Sequence, residues 1–596
     1  MNTKLTIVHL IFFSLISFTT LSQTTDLDKL NLDFEIMKGN SAKGWSDFEN
    51  PGYEKGLDTL IAFSGKNSGY IESKKDAKTF GALSYYIPAG FIGDKIKLTG
   101  YMKTENVSYA AGLWMKINPN LGFYNMMDKE IKGTNEWNEY EIELDYKDVE
   151  AESIEIGVLL AGKGKIWIDD LKVTIDGKEL KNVKKKVELT AEIKQSLIKQ
   201  IQQQKNSLDI SSEEKLEATL TPLIESIGNK KIVAIGEDTH GTSEYYKLRE
   251  AITKRLITEK GFNIVVLENP YDDIEVLNNH IKEEEISKLM KKHLFSIYQT
   301  EEMKSFLDWY KIDSIRSNVA FKGMDDSFWV SHELLKDKLS EIQDNEITQL
   351  IERLKDAATL SVRKYNRKYK KSGKKARDEN ELGAFTYQIA IDLNDTLESK
   401  GLLTKQLEEY LFNIKNTYIN YFNLKNKKPT QSRDEIMAER IAYLAKDPDS
   451  KLIVWAHNAH ISNIVIINDE IGIMGEKLKN EFGNNYLSIG MSSSKGSYSF
   501  FENRFVNGDH DFDDELIQSK IRFQPSESWE TLFNEADENS YYFNVKKIKS
   551  GDVYTKLKLI TFNKETKKDY YKLPILKMFD SLFFLETTNA TTPLDD

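Results

Sequence analysis

Between residues 30 and 176 the chain is written in short segments where apolar and polar positions alternate or apolar residues run together. Residues 95–99, 140–144, 154–160 and 165–175 show the alternation in whole or part, and 109–115 is mainly apolar. A period of two places one set of side chains on a buried face, so these segments predict strands, and the Gly and Asn residues between several of them predict turns. The expectation for 24–176 is an antiparallel β-sandwich, jelly-roll-like in plan. From residue 188 the period changes. Compact apolar runs at 231–235, 264–267, 319–321, 452–456 and 486–489 are separated by long helical patterns. That order predicts an α/β domain with a largely parallel sheet, whose ligand crevice lies beyond the carboxyl ends of the strands. Residues 331–430 are mostly helical and charged, which predicts a large helical insertion with a hairpin over 382–422 covering the crevice and a bend or loop within 361–379.

Length and composition organise these pieces. A chain of 596 residues exceeds what one core usually serves, so several domains are expected: the sandwich at 24–176, a linker at 177–187 with a helix near Lys194 to follow, and an α/β domain over 188–592. Lys4, an apolar stretch over 5–18 and small or polar residues through Ser22 have the layout of a secretory signal, so residues 1–22 are expected to be removed on export to the periplasm or beyond. The apolar stretch is shorter than the roughly 20 residues of a membrane span, and no stable span is expected after cleavage. The chain contains no cysteine, which excludes disulfides, cysteine nucleophiles and lipid attachment through cysteine. A net charge of −12 argues against a nucleic-acid partner. The basic run at 363–377 lacks interleaved aromatics and reads as a solvated face.

Polar residues gather where the strands should end. Gly236-Glu237-Asp238-Thr239-His240-Gly241-Thr242 follows the run at 231–235, with Glu237 and His240 on one lip of the crevice and Thr242 at the N-cap of the next helix. On that helix Tyr245 and Arg249 are four positions apart and share a face, from which Arg249 points back toward the loop. Glu268 ends the next strand; a charge there needs a partner, and Arg249, His240 or a bound ion are the candidates. Trp455-Ala456-His457-Asn458-Ala459-His460 follows a third strand and brings His457 and His460 near one face if the backbone turns helical. Three of the eight histidines therefore fall in two strand-end loops. Asp325 and Asp326 end another strand and are weaker candidates for direct catalysis. Each of these residues also has a plain structural role open to it as a cap, ion-pair or core group.

At these positions the sequence resembles the erythromycin esterase family, the macrolide-lactone hydrolases and their relatives. The landmarks are Gly236 to Gly241, Tyr245, Arg249, Glu268, Ser432-Arg433-Asp434 with Met437-Ala438, Trp455 to His460, Phe579-Asp580 and Glu586-Thr587-Thr588. The resemblance implies that His240 activates water, that Glu237 and Glu268 orient or polarise it, that Arg249 and Arg433 assist developing negative charge, and that His457 and His460 complete the pocket. Two features depart from the pattern: the preceding sandwich, and Glu439-Arg440 after Met437-Ala438, where antibiotic-acting members usually carry a smaller polar residue. Both bear on the macrolide substrate more than on hydrolysis. The sandwich resembles the carbohydrate-binding-like modules of secreted hydrolases, notably at Lys165-Ile166-Trp167-Ile168-Asp169-Asp170-Leu171. That likeness implies glycan contact through Trp45, Trp114, Trp137 or Trp167, each of which is otherwise a core residue.

No Gly-x-Ser-x-Gly elbow occurs, so a conventional serine esterase is not expected. The expected activity is attack of water, assisted by His240, on a small-molecule ester or lactone, with no cofactor. Two alternatives stay open: a divalent-metal hydrolase built on His240, His457, His460, Glu237 and Glu268, and a catalytically silent envelope or glycan-binding protein.

Overall fold

The computed structural model describes residues 30–594 apart from 40, 48–49, 76, 78, 120, 147–150, 327–330, 362–377, 467–471, 502, 507–508, 513–515, 550–551 and 561–562. The expected export signal, residues 1–22, and the basic run at 363–377 lie outside the described residues. The chain forms two compact units, the first ending at Lys185 and the second beginning at Lys186.

The first unit is a curled, sandwich-like sheet in which every strand pairing is antiparallel. One strand organises it. Lys95–Asn118 pairs with Ile131–Asp145 along one edge, and with Lys165–Ile175 and then Ser153–Ala161 along the other. The runs at 95–99 and 109–115 are thus one continuous strand rather than two. Three register shifts against Ile131–Asp145 bend it, which lets a single segment serve successive neighbours. The alternation read at 154–160 is realised in full, since Ile154, Ile156, Val158 and Leu160 are all completely buried. Leu180 and Val183 also bury into this core. Of the four tryptophans considered for glycan contact, Trp114 and Trp167 are buried, and Trp45 stacks on Phe34 with ring centroids 4.4 Å apart. Only Trp137 stands half-buried beside an exposed ring, Phe63, which itself stacks on Tyr101 at 3.6 Å.

In the second unit six strands run parallel, in the spatial order Ser581–Thr588, Tyr486–Phe500, Ile232–Ile235, Leu452–Trp455, Ile264–Pro270 and Ala320–Asp325. Tyr541–Asn544 adds antiparallel beside the first of these, followed by Asn206–Ser207, making the sheet mixed. Ile232–Ile235 and Leu452–Trp455 are buried at every position because helices cover both faces, which is why they read as unbroken apolar runs. Counted in chain order, with Ile232–Ile235 first, connections leave that strand in one direction for the second and third strands, Ile264–Pro270 and Ala320–Asp325, and in the other for the fifth and sixth, Tyr486–Phe500 and Ser581–Thr588. The first strand therefore sits at a switch point, where α/β sheets open a crevice.

Between the third and fourth strands lies the helical insertion, comprising Ser331–Leu339, Asn345–Ser361, Glu379–Ser399 and Lys405–Lys425. The last two form the hairpin expected over 382–422, their N-termini capped by the side chains of Asp378 and Thr404. Leu335, Ile389, Leu393, Leu397 and Leu411 give the insertion its own core, which also takes in Tyr271, three residues beyond Glu268. Arg440 ties this insertion to the sheet. Its buried guanidinium donates to Asn413 and Thr417 of the hairpin at 2.8 and 2.7 Å and to the carbonyl of Met324 at 2.9 Å, and it pairs with Asp326 at 3.1 Å. Glu439 beside it accepts hydrogen bonds from Asn416 and Gln431. Replacing Arg440 by Met should cost about 3 kcal/mol, because it strands three buried acceptors and an aspartate. Chemical denaturation measures this, and a loss under about 1 kcal/mol would show that the hairpin is held by its apolar contacts alone.

Candidate active site

Parallel register brings four strand ends level. Ile235, Trp455, Leu267 and Gly323 stand side by side, so Glu237, His457, Glu268 and Asp325 all emerge at one edge of the sheet. The loop after the first strand is pressed against its neighbours and tolerates no side chain at its bracketing glycines. A Cβ on Gly236 would lie 2.1 Å from Asn458 Oδ1, and one on Gly241 2.0 Å from the carbonyl oxygen of Ser499. Thr242 occupies the N-cap position of Ser243–Lys260 but makes no capping bond; its hydroxyl pairs with Thr239 instead.

The two adjacent acids of this loop serve different partners. Glu237 Oε1 lies 2.7 Å from His240 Nδ1, and its Oε2 is in ion-pair contact with Arg249 Nη1 at 2.8 Å, at an angle outside hydrogen-bond geometry. Arg249 is completely buried and donates through Nη2 to the carbonyls of Ile235 and Ala456, at 3.2 and 2.6 Å. It thus points back into the loop as its helical position suggested. Asp238 accepts from the Tyr245 hydroxyl at 2.6 Å and pairs with Lys558 at 3.1 Å. Because a carboxylate accepts the Nδ1 proton, neutral His240 carries its lone pair on Nε2. Among the described residues Nε2 has no hydrogen-bond partner, and the side chain retains 9% exposure at the carboxyl edge of the sheet.

Glu268 has different partners from those expected. Its Oε1 meets Arg433 Nη2 at 2.9 Å and His460 Nε2 at 3.3 Å, and its Oε2 accepts the backbone N–H of His457 at 3.1 Å. Burial alone would raise its pKa, yet His460, Arg433 and His240 hold it well below the usual carboxylate range. Arg433 pairs not with Asp434 but with Asp325, donating through Nε at 3.0 Å. Asp434 instead accepts from His460 Nδ1 at 2.6 Å and from the backbone N–H groups of Gly472 and Met474 at 3.0 and 3.2 Å. Burial opposes charge on His460, but the carboxylates of Glu268 and Asp434 prevail and raise its pKa to about 10. His460 is therefore an imidazolium that donates from both nitrogens. Arg433 Nη1, 3.5 Å from His460 Nε2, faces another donor there, and the arginine side chain is 44% exposed.

His457 is the opposite case. Nδ1 accepts the N–H of Ala459 at 3.2 Å and Nε2 donates to the carbonyl of Ile560 at 3.2 Å, so both nitrogens are occupied in the neutral ring. Burial, reinforced by the neighbouring His240 and His460, pushes its pKa down to about 3. Its ring lies 5.0 Å from that of His240. The donor set does not suit a divalent ion: His457 has no free nitrogen, Glu237 and Glu268 each face an arginine, and His460 is protonated. Among the described residues no three His, Cys, Asp or Glu side chains are grouped to hold a metal. Lys558, Ile560 and the anchoring role of Asp434 had no signal in the local sequence; Asp325 was visible only as an acid at a strand end.

The sequence profile of the erythromycin esterase family matches residues 257–588. The chain belongs to the erythromycin esterase family. The match spans Glu268, Arg433, His457 and His460, while His240 and Glu237 lie just ahead of it. Among individual relatives, the erythromycin esterase type II of Escherichia coli is 25% identical over 322 residues, 46% of this chain and 72% of that protein. The uncharacterised HTH-type transcriptional regulator YbfP of Bacillus subtilis is 34% identical over 140 residues, 22% of this chain and 46% of that protein. The chain thus spans under half the length of the latter. The solved structure of a succinoglycan biosynthesis protein superposes with a TM-score of 0.54 at 19% identity, covering 68% of this chain and all of that one, a likeness of fold.

The charge on His460 has a thermodynamic signature. A pKa raised on folding contributes stability that is complete below the unfolded value, here 6.5, and is lost as pH climbs toward the folded value of about 10. The stability deficit of His460→Gln should therefore be greatest near pH 6 and shrink steadily through about pH 8 and 9.5. Urea unfolding of both proteins across that window measures it, and a deficit that grows with pH contradicts a charged His460.

Proposed function

We propose that this member of an esterase-like hydrolase superfamily cleaves an ester or lactone by direct attack of water, with His240 as the general base. One observation carries the reading: Glu237 Oε1 lies in hydrogen-bond contact with His240 Nδ1, where it accepts the N–H, and Nε2 has no partner among the described residues. In the first step the oxygen of water bonds to the acyl carbon while its proton passes to Nε2, and the carbonyl electron pair moves onto oxygen. In the second the carbonyl re-forms, the acyl C–O bond breaks and the departing alkoxide recovers the proton from the imidazolium. Arg433 Nη1 is the donor best placed for the oxyanion, a type of contact worth about 10²–10³ in rate. Glu268 is not a base here, since its charge is committed to Arg433 and His460. Arg249 orients Glu237. His457, neutral and doubly bonded, shapes the pocket wall without titrating near neutral pH.

The family and the E. coli relative named for erythromycin support an ester or lactone as the substrate class. Export through residues 1–22 belongs to it as well, and no helix among the described residues is long and apolar enough to cross a membrane. Glycan contact by the first unit would fall to Phe63, Tyr101 and Trp137, an aromatic cluster outside its core.

The test is hydrolysis of 4-nitrophenyl acetate, 4-nitrophenyl butyrate and a 14-membered macrolide lactone by the parent and by His240→Asn. The variant should stay folded by circular dichroism and lose about 10³-fold in kcat on whichever substrate the parent cleaves, in keeping with loss of a general base. A folded His240→Asn that retains nearly the parent rate removes His240 from the chemistry.

A further inference from the structure

Behind the loop that carries Glu237 and His240 lies a second buried charge pair that the proposed reaction does not use. Lys558 ends the strand Val553–Lys558, and its side chain is completely buried. Its ammonium reaches Asp238 Oδ2 at 3.1 Å and donates to the carbonyl and hydroxyl oxygens of Ser493, both at 2.9 Å. Asp238 is filled on its remaining sides by the Tyr245 hydroxyl and the N–H of Ser493. Glu530 fixes the same strand end by accepting the backbone N–H of Lys558 at 2.7 Å. Two residues further on, Ile560 donates its N–H to the carbonyl of Asp238 at 2.9 Å and accepts the Nε2 proton of His457 at 3.2 Å. A single turn of chain therefore grips the catalytic loop through a side chain and a backbone bond, and presents the carbonyl that selects the tautomer of His457.

We propose that Lys558 is a positioning residue for the His240–His457 pair. Its ammonium compensates Asp238, and by holding that acid it sets the Ile560 carbonyl against His457 and the Gly236–Gly241 loop against the crevice. The assignment rests on the hydrolytic reading for its catalytic consequence, but not for its structural one. Without Lys558, Asp238 is an uncompensated buried carboxylate and must recruit water or move, and either response breaks the two bonds at Ile560. The interaction is a coupling between two charges, so removing both should harm the site no more than removing the lysine alone.

The experiment compares the full-length parent, Lys558→Met, Asp238→Asn and the double variant Asp238→Asn/Lys558→Met, at matched folded fraction. One measurement uses diethyl pyrocarbonate, which acylates neutral imidazole nitrogens that are free, with sites read by peptide mass mapping. His457 should be spared in the parent and react at least about tenfold faster in Lys558→Met, with the double variant no more reactive than that single one. The other measurement is 4-nitrophenyl acetate hydrolysis. Lys558→Met should lower kcat at least about tenfold with KM within about threefold, and the double variant should be no slower. Parent-like protection of His457 in folded Lys558→Met overturns the proposal, as does an additive loss in the double variant. If Lys558→Met does not fold, Asp238→Asn and the double variant decide the same question: equal His457 protection in the parent and in both overturns it. A parent that cleaves no ester defeats the hydrolytic reading while leaving the acylation result to judge Lys558.

Discussion

Four carboxylates at the carboxyl edge of this sheet are buried, and each is held there by a specific cation or set of N–H donors. Glu237 has Arg249, Asp238 has Lys558, Glu268 has Arg433 and His460, and Asp434 has His460 with two backbone amides. An isolated charge in such a place would be neutralised or expelled. These partners offset the cost of burying four acids near the strand ends, holding the pKa of Glu268 well below the usual carboxylate range while burial still raises that of Asp238, and they set the surroundings of the three histidines. His460 is forced to carry charge, His457 is kept neutral by burial and by its two hydrogen bonds, and His240 has its proton drawn to Nδ1. His240 alone of the three has a ring nitrogen, Nε2, without a hydrogen-bond partner among the described residues, and it is the one suited to the proposed role of base.

The helix Ser243–Lys260 illustrates how little chain is needed for this. Tyr245 and Arg249, one turn apart, address Asp238 and Glu237, which are neighbours in sequence but face opposite ways. Arg249 also satisfies two carbonyls at the ends of adjacent strands, so one guanidinium holds Glu237 and ties the two strand ends together. A substitution there would disturb stability and chemistry at once. Arg433 differs in being nearly half exposed, with one nitrogen uncommitted, so its contribution to reactivity is separable from its ion pairs.

What could be read in the sequence was what depends on local pattern. The five short runs became parallel strands, the hairpin over 382–422 formed, and the strand-end loops carrying His240, Glu268 and His457 met at one edge because parallel register aligns strand ends. Partner choice was another matter. Glu268 pairs with Arg433 rather than Arg249, and Arg433 with Asp325 rather than its neighbour Asp434, because partners are set by the tertiary approach of the helix Arg433–Leu444 to the sheet. Lys558 lay in an ordinary alternating strand, and nothing local distinguishes its burial from the exposure of Lys556. The long strand Lys95–Asn118 was divided in the reading because its register shifts interrupt the alternation that marks a strand.

The proposed chemistry requires that Glu237 confine the proton of neutral His240 to Nδ1 and leave Nε2 as the base. Ring-¹⁵N histidine labelling measures this without any substrate, the His240 signals being identified as those missing from His240→Asn. The account predicts that neutral His240 in the parent shows a protonated Nδ1 and a bare Nε2, and that Glu237→Ala weakens that preference. A neutral His240 carrying its proton on Nε2 would contradict it.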